Sequence, residues 1–87
     1  MVNAKEAAQI VISKINGFHI NDCKESEKHF FFSLLADANN KIIPGCPMQV
    51  VDKETGFWHQ EVGAPWGKYW NEMVQASEVE EALYKTK

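Results

Sequence analysis

Arginine is missing from this 87-residue sequence, and its nine lysines are scattered singly rather than gathered in a stripe. The formal net charge is -3 at pH 7, and the pI is near 5.5. Nucleic-acid binding depends on clustered cations that neutralise phosphates, and arginine is the usual bidentate reader of phosphate or guanine. The composition therefore argues against a nucleic acid as partner.

Long apolar runs are also missing, since no stretch approaches the roughly 18 apolar residues of a membrane span. The first twenty residues do not read as a signal peptide, because polar residues at positions 3, 5, 6 and 9 interrupt them. Cysteine is scarce, and Cys23 and Cys46 match no zinc or redox spacing. We therefore expect reduced thiols in a cytoplasmic protein that has no membrane partner.

The residue patterns of catalysis and metal binding do not occur either. None of the four serines lies in a nucleophile elbow, and there is no glycine-rich phosphate loop. The three histidines and Cys23 lack the short spacings that place two metal ligands on one helix face or turn. We expect no active site, no metal and no cofactor. One alternative stays open, an enzyme in which Cys46 is a thiol nucleophile paired with His59 or His29.

What the sequence does contain is typical of one small globular domain. Hydrophobic residues make up 45% of the chain and charged residues 24%, and ten residues are aromatic. A chain of this size buries only about 60 to 65% of its unfolded surface, so it cannot divide its apolar residues between two cores. We expect a single domain over residues 1–87.

The first half of the chain predicts a helix followed by a sheet. Asn3 can cap a helix whose apolar residues recur at helical spacing up to Ile15, and Gly17 can end it. A short strand is predicted at 18–20, followed by a solvent-exposed polar connector at 21–28. Residues 29–36 (HFFFSLLA) predict a central strand that is covered on both faces.

The second half predicts a hairpin and one or two helices. After an apolar loop at 42–47, strands are expected at 48–51 and 57–62, joined by a turn in which Gly56 takes a positive φ. Pro65 can open a helix with an aromatic stripe, and Ser77 with Glu80 offers a second capping box for a short helix at 78–87. The fold class is therefore α+β, with an N-terminal helix, a three- to four-stranded antiparallel sheet and a C-terminal helix or helix pair.

Aromatic residues are concentrated between positions 57 and 70. Two short helices can cover one face of such a sheet and leave part of the other open. An exposed patch that holds Trp is where binding energy concentrates. We therefore expect a protein partner to contact the hairpin turn and the nearby rings, at these positions: Lys53, Glu54, Trp58, His59, Trp66 and Trp70.

A resemblance gives this expectation a more specific form. The stretch Cys46–Gly56 (CPMQVVDKETG), followed by His59 and by Gly63-Ala64-Pro65, resembles the immunity protein 35 (YrhB-like) family. The resemblance implies a helical start, a strand with aromatic residues and this hairpin. It also implies a function as an antidote, a stoichiometric binding protein that neutralises a bacterial toxin encoded beside it.

A function from another class is the alternative. The same open sheet could serve a small chaperone-like or structural protein that binds promiscuously or forms a homodimer through edge strands.

Overall fold

The computed structural model of the chain describes residues 1–42 and 46–85, so part of the predicted loop at 42–47 and the end of the predicted C-terminal helix lie outside it. The described residues confirm the α+β fold. Its elements are α1 (Ala4–Lys14), β1 (Phe18–Glu25), β2 (His29–Ala36), β3 (Met48–Asp52), β4 (Trp58–Glu61), α2 (Trp70–Gln75), β5 (Ser77–Glu78) and α3 (Glu81–Tyr84). The strands form one antiparallel sheet in the order β4-β3-β2-β1-β5.

Helix α1 begins as predicted. The Asn3 side chain accepts a hydrogen bond from the Glu6 backbone N–H at 2.8 Å, and the Glu6 carboxylate accepts one from the Asn3 N–H at 2.9 Å. This reciprocal cap satisfies two donors that a helix N-terminus leaves without partners. The inward side of α1 is formed by Ala7, Ala8 and Val11, which are fully buried.

The predicted polar connector at 21–28 is mostly strand, so that expectation was wrong. Strand β1 continues to Glu25, and a bulge between Ile20 and Asp22 shifts its register against β2. A bulge inserts one unpaired residue and so breaks the period of two by which strands are recognised. Cys23 lies between two charged residues in the sequence, yet it is buried in the same cluster as Ile20.

Strand β2 is the central strand, as predicted, and its alternation defines the two faces of the sheet. Phe30, Phe32 and Leu34 point to the side covered by α1 and α3, which we call the helix face. Phe31 points to the other side, which we call the open face, where it clusters with Met48 and Val50. All six side chains are buried, and four of them belong to β2, so β2 needs cover on both faces.

Among the residues that the structure describes, one segment packs on the buried cluster of the open face. Residues 62–76, which we call the covering segment, run from the end of β4 through α2, and Tyr69, Met73 and Ala76 pack on the open-face cluster. The helix that was predicted to open at Pro65 begins only at Trp70. Before it, Gly67 approaches the Val62 carbonyl so closely that a side chain there would collide with it. The chain therefore loops tightly before it becomes helical.

The sheet has one more strand than the three to four expected, because the two-residue strand β5 pairs with β1. The predicted second capping box was wrong. Ser77 lies in β5, and Glu80, the N-cap of α3, makes no side-chain cap bond. Helix α3 nevertheless buries Tyr84, whose ring lies edge-on to Phe32. None of the helices in the described part of the chain is long and apolar enough to cross a bilayer.

The β3–β4 turn provides a test of the backbone argument. Gly56 has φ +77, in the left-handed region, and its N–H donates to the Asp52 carbonyl at 2.8 Å. We expect Gly56→Ala to lower the free energy of unfolding by about 1–2 kcal/mol, the cost of a Cβ in that region. Gly63→Ala is the control, because Gly63 is not in that region and an added Cβ would meet Met48 at an ordinary 3.8 Å. Urea denaturation of both variants measures the difference, and equal losses would contradict it.

Candidate interaction surface

The open face is only partly covered and contains an apolar groove. The groove has a volume of about 290 Å³. Its lining includes Phe31 and Met48 from the sheet, Met73 from α2, and Ile42 and Cys46 from either side of the loop between β2 and β3. An engineered apolar cavity of about 150 Å³ already takes up benzene. This groove therefore has room for an apolar side chain of a partner.

Next to the groove, a row of rings crosses the open face. Phe57 stacks on His59 at 5.5 Å, and His59 lies 5.3 Å from Tyr69. Tyr69 meets His29 edge-on at 5.2 Å, and His29 lies 5.9 Å from Phe31. The outer end of the row is exposed to solvent, since Phe57 is 65% exposed. The row joins the buried core to a surface aromatic ring.

Polar contacts hold the covering segment beside this row. The Glu72 carboxylate of α2 accepts a hydrogen bond from the Ser26 hydroxyl at 2.5 Å, and the same oxygen lies 2.6 Å from Nδ1 of His29. Burial raises the pKa of Glu72, but the bonds from Ser26 and His29, together with the charges of His29 and Lys28, outweigh it, so the pKa lies below the ordinary 4.5. The carboxylate is thus held ionised at the junction of α2 with the sheet.

The turn residues predicted to touch a partner differ in their surroundings. Lys53 donates to the Glu25 carboxylate at 2.6 Å, and its ammonium lies 5.1 Å from the Phe30 ring centroid. Glu54 is exposed at the tip. The turn is held by Asp52, whose carboxylate accepts from the backbone N–H groups of Thr55 and Glu54, and these bonds, Thr55 first, lower its pKa. Lys53 is therefore occupied within the domain, whereas Glu54 is free to meet solvent.

Trp58 and His59 point to opposite faces, as strand alternation predicts. Trp58 packs against the core of the helix face, where its indole N–H donates to the Gln49 side-chain oxygen at 2.9 Å. Gln49 is fully buried, so this bond satisfies a polar group in the core. His59 lies on the open face with Nδ1 at 2.6 Å from the Glu61 carboxylate.

The other two predicted tryptophans lie in the covering segment. Trp66 is 82% exposed, in the loop between Gly63, which lines the groove, and Tyr69 of the ring row. Trp70 is half-buried at the first turn of α2. His59, Trp66 and Trp70 thus belong to the open face or its cover, whereas Trp58 belongs to the helix face. The six predicted positions do not form one surface.

Sequence reasoning missed residues that complete the open face. Phe57 and Tyr69 belong to the ring row, and Ile42 lines the groove, yet none of the three was selected. Phe57 and His59 are two residues apart, so strand alternation puts them on the same face of the sheet. The same pattern therefore favours Phe57 over Trp58 as a neighbour of His59 in a binding surface. The contact of Glu72 with His29 joins positions 43 residues apart and has no local signal.

The cysteines and histidines show no catalytic or metal-binding arrangement among the described residues. Cys46 lines the groove and packs against the helix-face core, whereas the contacts of His59 are with Phe57, Tyr69 and Glu61. No three metal-ligating side chains come together within residues 1–42 and 46–85. Burial, with the negative charges of Asp22 and Glu25, raises the pKa of Cys23 to about 12, so this thiol stays protonated.

Comparison with protein-family models, with curated proteins and with solved structures found no match to this chain.

Replacing Trp58 by Phe tests the bond to Gln49. The variant keeps a ring but removes the shorter of two hydrogen bonds to the buried Gln49 oxygen and leaves only the 3.5 Å bond from Gln60, so we expect the free energy of unfolding to fall by about 1–3 kcal/mol. Trp66→Phe makes the same chemical change at an exposed position, and we expect less than about 0.5 kcal/mol there. Urea denaturation should be monitored by circular dichroism, because both substitutions remove a tryptophan and so change the fluorescence signal. A loss at Trp66 as large as that at Trp58 would contradict the assignment.

Glu72→Gln tests the polar junction. A carboxylate whose folded pKa is lowered contributes stability above the unfolded pKa and loses it as the pH falls through the folded one. We expect the free energy of unfolding of the variant to be about 1 kcal/mol lower at pH 7, after a discount for partial exposure. The difference in free energy of unfolding between the variant and the natural protein should disappear below about pH 4.5. Glu81→Gln, which breaks an exposed pair with Lys85, should lose less than half as much. A difference in the free energy of unfolding that does not change with pH would exclude a role for the charge of the Glu72 carboxylate.

Proposed function

We propose that this chain is a stoichiometric binding protein that shields the open face of its sheet with a protein partner. The observation that carries the proposal is the exposure of Trp66 at 82%, in the loop that follows Gly63, and Gly63 lines a groove whose other lining residues are mostly apolar, with Asp22, Lys24 and Ser33 among them. Leaving a large apolar side chain in water forgoes about 1.5–3 kcal/mol of burial free energy. In a small domain, an exposed tryptophan of this kind contributes little to the stability of the fold and is better explained by a role in binding.

The composition of the surface matches that of binding hot spots. Trp and Tyr are enriched where interfaces concentrate their energy, and such residues lie around desolvated pockets. Trp66 and Phe57 are exposed, and Tyr69, three residues after Trp66, is half-buried. A partner residue in the groove would bury further area on Met48 and Met73, since both line it.

The resemblance to the immunity protein 35 family supports a particular partner, a bacterial toxin. In this proposal the chain acts in the cytoplasm as an antidote and blocks the toxin's active site or the approach of its substrate, which requires no chemistry from the chain itself. The net charge of -3 would speed association with a basic toxin more than it would tighten the complex.

The test is complex formation with the product of the neighbouring reading frame. We expect Trp66→Ala to weaken binding by at least about 2 kcal/mol, a factor of about 30, as measured by calorimetry. Leu83→Ala is the matched control, because Leu83 is 60% exposed on α3 at the helix face. It should leave the affinity unchanged.

Two results would argue against this assignment. Equal losses from both variants would mean that binding is not specific to the open face. Weak capture of many unfolded proteins, with no fixed stoichiometry, would favour the promiscuous chaperone instead.

A further inference from the structure

Strand β4 is an edge strand of four residues that contains neither lysine nor proline, and Glu61 is its one charged acidic residue. In the described part of the chain, β3 lies on one side of it and no strand on the other. Natural edge strands avoid pairing with other chains by carrying lysine or proline, or by being very short. Residues 57–62 (FWHQEV) contain neither residue type. The opposite edge, β5, has only two residues and is protected by its length.

The backbone of β4 presents alternate residues to this edge. The Asp52 N–H donates to the Phe57 carbonyl at 2.9 Å, so Phe57 and the residues two and four positions later point their backbone groups toward β3. By the same alternation, the N–H and C=O groups of Trp58 and Gln60 point away from the sheet. Gln60 is exposed, so its outward groups are accessible.

We propose that β4 pairs with β4 of a second copy of this chain, antiparallel about a two-fold axis through Gln60. Such pairing is isologous, because the same strand serves both copies. It joins the two sheets into one continuous sheet with five strands from each copy. The open face keeps its exposure in this dimer, so the inference does not depend on the proposed function.

The side chains select this register. With Gln60 opposite Gln60, Trp58 lies opposite Val62, an aromatic and β-branched pair, and His59 lies opposite Glu61, so that the His59–Glu61 contact within each copy meets the same contact of the other copy. Val62 is about half exposed, so it has surface to bury. The neighbouring register, centred on His59, would place two histidines opposite each other and Phe57 opposite Glu61. Both registers use outward backbone groups, and only the first matches every side-chain pair.

The dimer is expected to be weak. The paired stretch, residues 58–62, is short, and the Val62 carbonyl already lies against Gly67, so the firmest backbone bonds are those between the two Gln60 residues. Interfaces below about 1,200 Å² are typical of transient association. The acidic surface, with a net charge of -3 on each copy, also opposes pairing at low salt.

Sedimentation equilibrium of the full chain, from about 10 µM to about 1 mM, spans the range that a weak interface requires. We expect the mean mass to rise toward that of a dimer, and Gln60→Lys to keep it at that of a monomer, because two ammonium groups would face each other. Gln9→Lys makes the same change on the exposed side of α1 and should dimerise like the natural protein. A monomer at every concentration, or equal behaviour of the two lysine variants, would overturn the proposal. Matching thermal unfolding of the variants separates loss of pairing from loss of folding.

Cysteine cross-linking tests the register without disturbing charge. In a Cys46→Ala background, Gln60→Cys places two thiols opposite each other across the axis, within the Cα separation of about 4.4–6.8 Å that a disulfide needs. Mild oxidation should give a covalent dimer for this variant and much less for His59→Cys. Cross-linking through position 59 instead would show the other register and overturn the assignment. Cys23 does not interfere, since it is buried and protonated.

Discussion

The structure depends on one constraint, the burial of strand β2 on both faces. Phe30 and Phe32 require cover on one side and Phe31 on the other. Helix α1 meets the first requirement with a side made of Ala7, Ala8 and Val11, whose small side chains let the helix approach the sheet. The second requirement is met by the short covering segment, from which Tyr69, Met73 and Ala76 pack on the open-face cluster. The partly covered open face follows from this unequal division.

The covering segment compensates for its few apolar contacts with polar ones. None of the six residues of α2 is fully buried, and the helix lacks a side-chain cap. The bonds of Glu72 to Ser26 and His29 fix α2 to the start of β2, and Tyr69 is held between two histidine rings. Bonds to a carboxylate are about twice as strong as neutral ones. An element with a small apolar contact can therefore stay attached while leaving a groove beside it.

The sequence predicted the parts of the fold that local patterns determine. The capping box of α1, the positive φ of Gly56 and the central position of β2 each arise from neighbouring residues, and all three are present. The errors occur where a distant contact or an irregularity decides the structure. The bulge after Ile20 breaks the alternation by which the second half of β1 would have been recognised. The close approach of Gly67 to the Val62 carbonyl belongs to a tight loop that precedes α2, so the helix begins later than predicted.

The candidate surface was less predictable than the fold for a related reason. Aromatic content shows that rings are available but not which of them the core consumes. Trp58 is held by the buried Gln49, a residue that any pattern would place on a solvent face because of its polarity. The pairing of the two exists only once β3 and β4 are in register. Trp66 is exposed in a loop whose close contact, between Gly67 and the Val62 carbonyl, is also absent from any local pattern.

Face and edge of the sheet offer different kinds of recognition, and the chain has both. The groove on the open face is lined mostly by apolar side chains, so binding there would be weakly directional, and its specificity would come from the shape of the groove and from the rings around it. The edge of β4 is directional, because backbone groups at a fixed repeat set the register, but it supplies little area. Strand β4 belongs to both the open face and the edge of the sheet. His59 belongs to the ring row on the open face and lies on the edge strand, bonded to Glu61. A partner that moves this ring would act on both surfaces, and through Tyr69 on the covering segment as well.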